Sequence, residues 1–409
     1  MSTHINESID HLFRREYSRI VSLLTSKFGP VHIDSIEDSV QDALYKAMTQ
    51  WSIKGRPEEP NKWLYRVAHN SIIDKLRRDS KSEEYLPEKE KKTSSTLEVD
   101  LSDGLEDEQL QMIFACCHPS MKETEQLMLS LKLLCGFNNK EISRALLKEQ
   151  EAVKKALTRA KSKFKTEIGS LRIPHSNQLA SRLDGVLKVI YLIFNNGYTA
   201  LEGDNLLKKD VCEDAIRLAG MLYQHEKCNT NQTRSLLALM CFNFSRFNAR
   251  INEVGDMLTL QQQDHNKWDT DLIELGLRFL SETGNSSTFT QLQLEAAIAR
   301  EYAVAPNFET TNWRVILALF DLILTNNTSV VIALNRLVIV DQVYGTQTAY
   351  ERLLKLQDKS LEKNYLYFSI KGDFEKKLKL EEYKTSLNCA VDLTDNLKEK
   401  EFLKAKLSN

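Results

Sequence analysis

The sequence predicts an all-α protein, and three observations support this fold class. Only 14 Gly and 7 Pro interrupt the 409 residues, so long helices with short connections fit better than many short strands. Apolar residues recur at three- and four-residue steps along most of the chain, which is the spacing of one helix face. Hydrophobic residues make up 42% and charged residues 27% of the chain, a balance that favours packed cores over general disorder.

Composition excludes several classes of protein. The length suggests about three domains, and the seven cysteines lack the regular spacing of a disulfide framework. No signal peptide and no apolar run of roughly 18 residues is present, so we expect a cytoplasmic protein with no membrane partner. The net charge of -2 gives no overall attraction to nucleic acid, so any such attraction must come from local charge.

Three helices are predicted in a first domain that spans residues 2–81. Gly29-Pro30 ends the first helix, and a Gly- and Pro-containing loop at 52–59 ends the second. The third runs from Pro60 or Asn61 to about Asp79. The second helix is predicted to bury Ile36, Val40, Ala43, Leu44, Ala47, Met48 and Trp51.

Residues 82–104 lack periodicity and are rich in Ser, Glu and Lys, which predicts a flexible linker. A second domain is predicted at 105–172. Within it, Asn138 or Asn139 can cap a helix over 140–147, and a tight turn leads to a second helix over 150–168. Two helices of this length and spacing indicate a helix-turn-helix.

The remaining residues, 174–409, predict helix pairs separated by Gly- and Asn-containing turns. The expected turns include Asn195-Asn196-Gly197, Tyr344-Gly345-Thr346 and Lys371-Gly372-Asp373. The pattern resembles degenerate tetratricopeptide hairpins. Aromatic residues here could line a ligand groove, although helix-pair cores need such residues anyway.

The second helix of the predicted helix-turn-helix is strongly cationic, as expected for a helix that enters the DNA major groove. A Lys-rich solvated face is the bland alternative, and the capped partner helix favours DNA. The residues expected to face base edges or nearby phosphates are Gln150, Glu151, Lys154, Lys155 and Thr158. Arg159 and Lys161 are expected to contact the DNA backbone.

The third helix of the first domain carries a second basic stripe. Its candidate nucleic-acid residues are Lys62, Arg66, Asn70, Lys75, Arg77 and Arg78. Arg and Asn side chains of this kind engage single-stranded bases and phosphates. Trp63 could stack on a base, but a lone aromatic at helical spacing is more often part of a core.

An acidic and amide stripe of Asp38, Gln41, Asp42 and Tyr45 lies opposite the apolar side of the second helix. The stripe could be an ordinary solvated face, or it could offer hydrogen bonds and charge to a basic partner. Residue pattern alone leaves both interpretations open.

Three segments together resemble sigma factors of the extracytoplasmic-function type. Residues 37–44 (EDSVQDAL) are similar to that family's polymerase-binding segment. Residues 61–70 (NKWLYRVAHN), followed by 74–78 (DKLRR), resemble its promoter-melting segment. Residues 141–161 resemble its helix-turn-helix, and 110–119 and 189–198 resemble a subgroup with a long C-terminal extension.

The resemblance implies core RNA polymerase and promoter DNA as partners. Asp38, Gln41 and Asp42 become candidate polymerase contacts, Arg66, Asn70, Arg77 and Arg78 candidate minus-ten contacts, and the helix-turn-helix the reader of the minus-thirty-five element. Glu149 departs from the family, which often has a small capping residue or Pro there. A regulatory protein or ligand could act at the extension, and the sequence does not say whether the extension activates or inhibits.

No covalent chemistry, cofactor or metal is expected. The sequence contains no Gly-rich phosphate loop and no credible nucleophile with a base, and Cys116-Cys117-His118 lacks a second ligand pair for zinc. Two other classes remain open, a helical-repeat interaction scaffold and a conventional dimeric DNA-binding regulator. Binding to polymerase separates both of them from a sigma factor.

Overall fold

The computed structural model of the protein describes residues 2–79, 105–146, 148–199, 205–252, 258–284, 289–394 and 397–408. Within these ranges the regular structure is helical, with no β-strand, which confirms the predicted all-α class. The predicted linker over 82–104 lies outside the described residues. The chain forms two compact units, one of residues 1–196 and 213–222, the other of 197–212 and 223–409.

The first unit begins with three helices, α1 (Ser2–Phe28), α2 (Ile33–Lys54) and α3 (Pro60–Asp79). Gly55 ends α2 with φ 81°, and its N–H donates to the Trp51 carbonyl. Helix α3 begins at Pro60. Proline is favoured at this first position because the N–H that it lacks would have no partner within the helix. The three helices pack around Leu24, Ile36, Val40, Leu64 and Ile72, which are almost fully buried.

Four shorter helices follow in the same unit, α4 (Leu105–Cys116), α5 (Glu123–Leu133), α6 (Asn139–Ala145) and α7 (Gln150–Glu167). Helix α1 packs against both α4 and α5. The loop after α5 approaches α1 so closely that a Cβ on Gly136 would lie 2.8 Å from the Arg14 carbonyl oxygen. Gly136 also has φ 72°, so both the contact and the backbone favour glycine there.

Helix α8 (Ser176–Thr199) and the middle of α9 (Asn205–Gln224) complete the first unit. Arg217 on α9 donates from Nη2 to the Leu134 carbonyl at 2.8 Å. Arg217 also pairs with Asp214 at 2.9 Å. The bond to Leu134 joins α9 to the end of α5, and Asp214 orients the arginine from within α9.

The second unit consists of consecutive packed helices. They are α10 (Asn231–Phe244), α11 (Thr270–Ser281), α12 (Gln291–Val304), α13 (Trp313–Asn326), α14 (Val330–Tyr344), α15 (Thr346–Leu354), α16 (Tyr365–Lys377), α17 (Tyr383–Leu393) and α18 (Leu397–Ser408). From α12 onward each helix packs against the next. Ile316, Leu334, Val340 and Leu353 form part of a continuous core there. The relation to tetratricopeptide repeats stays a prediction.

Of the three turns named above, two are wrong and one is confirmed. Gly345 does separate α14 from α15, with φ 86°. Residues 195–197 instead lie inside α8, and Gly372 lies inside α16. A Cβ on Gly372 would lie 2.7 Å from Leu387 Cγ. This glycine therefore allows α16 and α17 to pack closely, and its role is not to end a helix.

Candidate nucleic-acid interface

Helices α6 and α7, which the sequence predicts as a helix-turn-helix, are fixed by reciprocal hydrogen bonds at both ends of α6. Asn138 Oδ1 accepts from the backbone N–H groups of Lys140 and Glu141 at 3.0 Å. The Asn138 N–H in turn donates to the Glu141 carboxylate at 2.7 Å, which completes a capping box. After α6, the Lys148 N–H donates to the Ser143 carbonyl, and Ser143 Oγ donates to the Lys148 carbonyl at 2.6 Å. These bonds set the turn that places α7.

Helix α7 has one buried and one exposed face. The buried residues are Val153, Ala156, Leu157, Ala160 and Phe164. The exposed residues include Gln150, Glu151, Lys154, Lys155, Thr158 and Arg159. Neither Lys154 nor Lys155 has a carboxylate within 4.0 Å anywhere in the described part of the chain. Six of the seven residues expected to contact the upstream DNA element therefore share one accessible face.

Lys161, the seventh of these residues, is directed at α2. Its Nζ forms an ion pair with Glu37 and lies 3.1 Å from Asp34 Oδ1. Burial acts to lower the pKa of Lys161, but the Glu37 and Asp34 carboxylates outweigh burial and the pKa is raised. Lys165 pairs with Asp34 as well. The residue spacing within α7 could not predict this contact, because Asp34 and Glu37 lie on α2, far from α7 in the sequence.

Glu37 is the centre of the contact between α2 and α7. Only 3% of its side chain is exposed. Tyr17 Oη donates to Glu37 Oε1 at 2.6 Å, and Lys132 Nζ on α5 lies 3.8 Å away. Burial and the neighbouring Glu37 raise the pKa of Tyr17 well above its ordinary value. A buried carboxylate is tolerated when cations and donors surround it in this way.

Arg159 lies beside a second buried carboxylate, that of Glu125 on α5. Its Nε lies 3.5 Å from Glu125 Oε1 while 65% of its side chain stays exposed. Lys163 Nζ donates to Glu125 Oε2 at 2.9 Å. Burial acts to raise the pKa of Glu125, and Lys163 together with the Lys122 N–H outweighs it and lowers the pKa. Arg159 is thus oriented by Glu125 without being covered.

The basic stripe on α3 is exposed. Lys62, Arg66, Asn70, Arg77 and Arg78 all reach the surface of this helix. Lys62 pairs with Glu59 at 2.5 Å, and Lys75 pairs with Asp42 of α2 at 3.1 Å. Arg66 and Arg77 have no carboxylate within 4.0 Å among the residues described. Arg78, which donates only to the Asp74 backbone carbonyl, likewise has no ion pair with a described residue, so the three arginines carry uncompensated charge on α3.

Trp63 lies at the edge of an aromatic cluster. Its ring packs edge-on against Trp51 at a centroid distance of 5.5 Å, and Trp51 lies 6.1 Å from Phe13. Trp63 remains half-buried. Part of the ring therefore supports the core while part stays at the surface beside Lys62 and Arg66.

Asp38, Gln41, Asp42 and Tyr45 are all exposed on α2. Met48, predicted to be buried, is instead 57% exposed, next to Tyr45 at 69%. A three-residue step places Tyr45 and Met48 on the same face, so α2 presents an apolar patch beside its acidic stripe. Sequence periodicity missed the patch because Met48 also fits the spacing of the buried side.

Cys116 and Cys117 are buried in the core, and burial raises the pKa of the Cys117 thiol to about 12. No group of three or more potential metal ligands occurs in the described ranges. A search of those same residues also finds no helix that is both long and apolar enough to cross a membrane.

Comparison with known proteins agrees with this geometry. Residues 12–82, which include the α2 and α3 surfaces, match the sigma-70 region 2 family. Residues 182–284 match a family of unknown function, DUF6596. No solved structure matches the chain.

A curated relative covers nearly the whole chain. It is described as "Uncharacterized protein R00370" of Rhizobium meliloti (strain 1021), is 30% identical over 384 residues, and is matched over 92% of this chain and 90% of its own length. Because that similarity spans both units, the chain belongs to the same family as this relative, and its residues 12–82 form a sigma-70 region 2 domain.

Proposed function

We propose that the protein is a sigma factor of the extracytoplasmic-function type that binds core RNA polymerase and directs it to specific promoters. The observation that carries the proposal is the presence of two separate exposed cationic faces, on α3 and α7, within a chain whose residues 12–82 match sigma-70 region 2. The polymerase supplies the chemistry, and the protein supplies binding. We infer that it acts in the cytoplasm, where promoter DNA is found.

The α2 surface is suited to the polymerase. Asp38, Gln41 and Asp42 offer negative charge and hydrogen bonds, and the exposed Tyr45 and Met48 offer apolar area. Interfaces concentrate binding energy in such aromatic and apolar anchors, while surrounding charges set orientation and association rate. An acidic surface with an apolar centre fits a basic partner surface better than it fits DNA.

The α3 and α7 faces are suited to different forms of DNA. Arg66, Asn70 and Arg77 form an exposed stripe beside the partly exposed Trp63, the combination that binds unstacked bases and backbone phosphates. Lys154 and Lys155 lie near the N-terminal end of α7, the end that a recognition helix inserts into the major groove. We therefore assign α3 to the minus-ten element and α7 to the minus-thirty-five element.

In the first unit α7 is held against α2, an arrangement that we call closed. The minus-ten and minus-thirty-five elements are too far apart for the closed arrangement to contact both. Their names place them about 25 base pairs apart, or roughly 85 Å at 3.4 Å per base pair. A compact unit of roughly 200 residues has an expected radius of gyration of about 17 Å. Simultaneous contact with both elements therefore requires α7 to part from α2, which breaks the ion pairs of Lys161 and Lys165. We propose that the segment 82–104 spans this separation, and that the helical extension from residue 174 takes part in its control.

Run-off transcription tests the function. The full chain is mixed with core RNA polymerase and a promoter library, and the products are sequenced. Selective initiation that depends on the added protein is expected. A matched variant, Asp38→Lys with Asp42→Lys, should lose polymerase binding and with it selective initiation, because it reverses the charge of the α2 surface.

Two alternatives predict different outcomes of that experiment. A conventional regulator would bind duplex DNA without core polymerase and would not depend on Asp38 or Asp42. A helical-repeat scaffold would bind neither polymerase nor DNA. Absence of a complex with core polymerase from any bacterial source tried would reject the sigma-factor proposal.

A further inference from the structure

A polar cavity of about 380 Å³ lies in the first unit where α4, α7 and α8 meet. This volume is within the 300–1,000 Å³ typical of small-molecule sites. Its wall includes His118 after α4, Glu167 at the end of α7, Arg172 and His175 in the connection to α8, and Arg182 on α8. None of these residues belongs to the proposed polymerase or DNA surfaces, so the function described above does not account for the cavity.

The charge of the cavity wall is predominantly positive. The lining residues include the cations Arg172 and Arg182 and the imidazole of His118, and Glu167 is the acid among them. Neither arginine has a carboxylate within 4.0 Å in the described ranges. Arg182 is partly buried and Arg172 is exposed, so Arg182 in particular loses hydration without gaining a carboxylate partner. An anion would offset that cost.

Arg182 is held in position to receive such an anion. Its Nη2 donates to the Phe114 carbonyl at 2.7 Å, which fixes the guanidinium against the last turns of α4. Its Nε is buried and has no acceptor in the part of the chain described. Burial lowers the pKa of Arg182, as expected for a cation that lacks a close carboxylate. The planar guanidinium is also the side chain that best matches oxyanions.

The shape and location of the cavity favour a small ligand over the DNA backbone. A concave space can surround a compact ion, whereas a duplex presents its phosphates along a convex ridge. The cavity lies at the C-terminal end of α7, whereas Lys154 and Lys155 lie near the N-terminal end. The first turn of α8, a 24-residue helix, also borders the space through Gln178, directly after His175 and the connection. Helix N-termini add unpaired N–H groups and partial positive charge to an anion site.

We propose that this cavity binds a small, soluble oxyanion of the phosphate class between Arg172 and Arg182. Binding links the end of the predicted recognition helix α7 to α8, the helix in which the DUF6596 match begins at residue 182. An occupied site therefore stabilises the connection between the DNA-reading domain and the extension. The cavity is separate from the polymerase and DNA surfaces, so it can bind an anion whether or not the protein is a sigma factor.

Isothermal titration of the full chain with inorganic phosphate and with sodium sulfate tests the site. Arg182→Gln and Arg172→Gln should each weaken binding by about tenfold, the loss typical of one charge-assisted hydrogen bond. Glu167→Gln should strengthen binding severalfold because it removes the acid from the wall. Arg144→Gln, at an exposed position on α6, is the matched control and should leave the affinity unchanged.

Sulfate also gives a pH readout that phosphate cannot, because sulfate keeps its charge throughout the range in which histidine titrates. Burial and the nearby Arg182 lower the pKa of His118, so sulfate affinity should rise as the pH falls and His118 gains charge. Arg172 and Arg182 stay charged throughout.

Three results would overturn the proposal. One is the absence of binding to either anion, and another is equal loss of affinity in Arg144→Gln and Arg182→Gln, which would indicate nonspecific attraction. The third is displacement of bound sulfate by a short DNA duplex, which would assign the cavity to backbone phosphate. Because Arg182→Gln could disturb folding through Phe114, the gain expected for Glu167→Gln provides an independent test.

Discussion

Glu37 on α2 and Lys161 on α7 form an ion pair between the two domains that the sequence predicts to act on different stretches of DNA. Glu37 is almost fully buried, and 22% of the Lys161 side chain is exposed. The contact between α2 and α7 therefore depends in part on the buried carboxylate of Glu37. Its contribution can be measured.

Lys161→Met should destabilise the first unit. The change leaves the Glu37 carboxylate buried with Tyr17 and the more distant Lys132 as partners. Breaking a fully buried pair costs about 3–5 kcal/mol, and because Lys161 is partly exposed we expect a loss of about 1–3 kcal/mol. Urea unfolding monitored by circular dichroism measures it. Lys154→Met, on the exposed face of the same helix, should change stability by no more than about 0.5 kcal/mol.

The same contact predicts sensitivity to acid. Burial acts to raise the pKa of Asp34, but Lys165 and Lys161 outweigh it, so the folded pKa lies below the ordinary value of 3.8. A carboxylate with a lowered folded pKa stabilises the protein above its unfolded pKa, and this contribution disappears as the pH falls through the folded value.

Asp34→Asn should therefore lose less stability than the unchanged protein when the pH falls from about 5 to about 3. Asp38→Asn is the control, because Asp38 is exposed on the same helix and forms no ion pair with any described residue. Equal acid sensitivity in all three proteins would show that the ion pairs of Asp34 with Lys161 and Lys165 contribute nothing.

Lys154→Ala with Lys155→Ala should weaken binding of the holoenzyme to the upstream promoter element. Removing one lysine–phosphate interaction should reduce the slope of log affinity against log salt by about 0.9, so the double variant should lower it by up to about 2. Quantitative footprinting over a range of salt concentrations measures both effects. Lys355→Ala, an exposed lysine in the extension, should change neither, and an unaltered slope in the double variant would contradict the assignment of α7.

Opening of the first unit can be tested by charge reversal. Asp34→Lys places a cation beside Lys161 and Lys165, so the closed arrangement should weaken and promoter-dependent transcription should rise. Adding Lys165→Glu to that variant should restore attraction and lower transcription again, because the two substitutions exchange the charges of one pair. Transcription that falls in Asp34→Lys and is not recovered in the double variant would argue that the closed arrangement is the active one.

Local sequence predicts the helices well, and contacts between distant helices account for what it misses. Asn138 and Glu141 indicate the start of α6 because a capping box is a local pattern. Helical spacing assigns Lys161 to DNA because it carries no information about Asp34 and Glu37, which are acids on another helix. Met48 fits both the buried and the exposed pattern of α2, so only packing decides its position. The cavity beside Arg182 gathers residues from three helices, which no spacing rule brings together.

Gly372 is another residue whose role depends on a contact with a different helix, and mutation can measure that contact. Sequence rules treat a glycine between charged residues as a turn, yet Gly372 lies in the middle of α16 with Leu387 of α17 against its Cα. A methyl group at that position would lie 2.7 Å from Leu387 Cγ and 3.2 Å from the Leu387 nitrogen. Gly372→Ala should therefore destabilise the second unit by about 1–3 kcal/mol through overpacking, as measured by thermal or urea unfolding.

Gly220→Ala is the matched control, since Gly220 lies inside α9 and a Cβ there would meet nothing within 4 Å. That change should stabilise the protein by about 0.5–1 kcal/mol, because alanine loses less backbone entropy than glycine in a helix. Adding Leu387→Ala to Gly372→Ala should cost less than the sum of the two single changes, because the smaller side chain makes room for the new methyl group. Strict additivity of the two changes would mean that the glycine serves backbone conformation alone and that the contact between α16 and α17 does not require it.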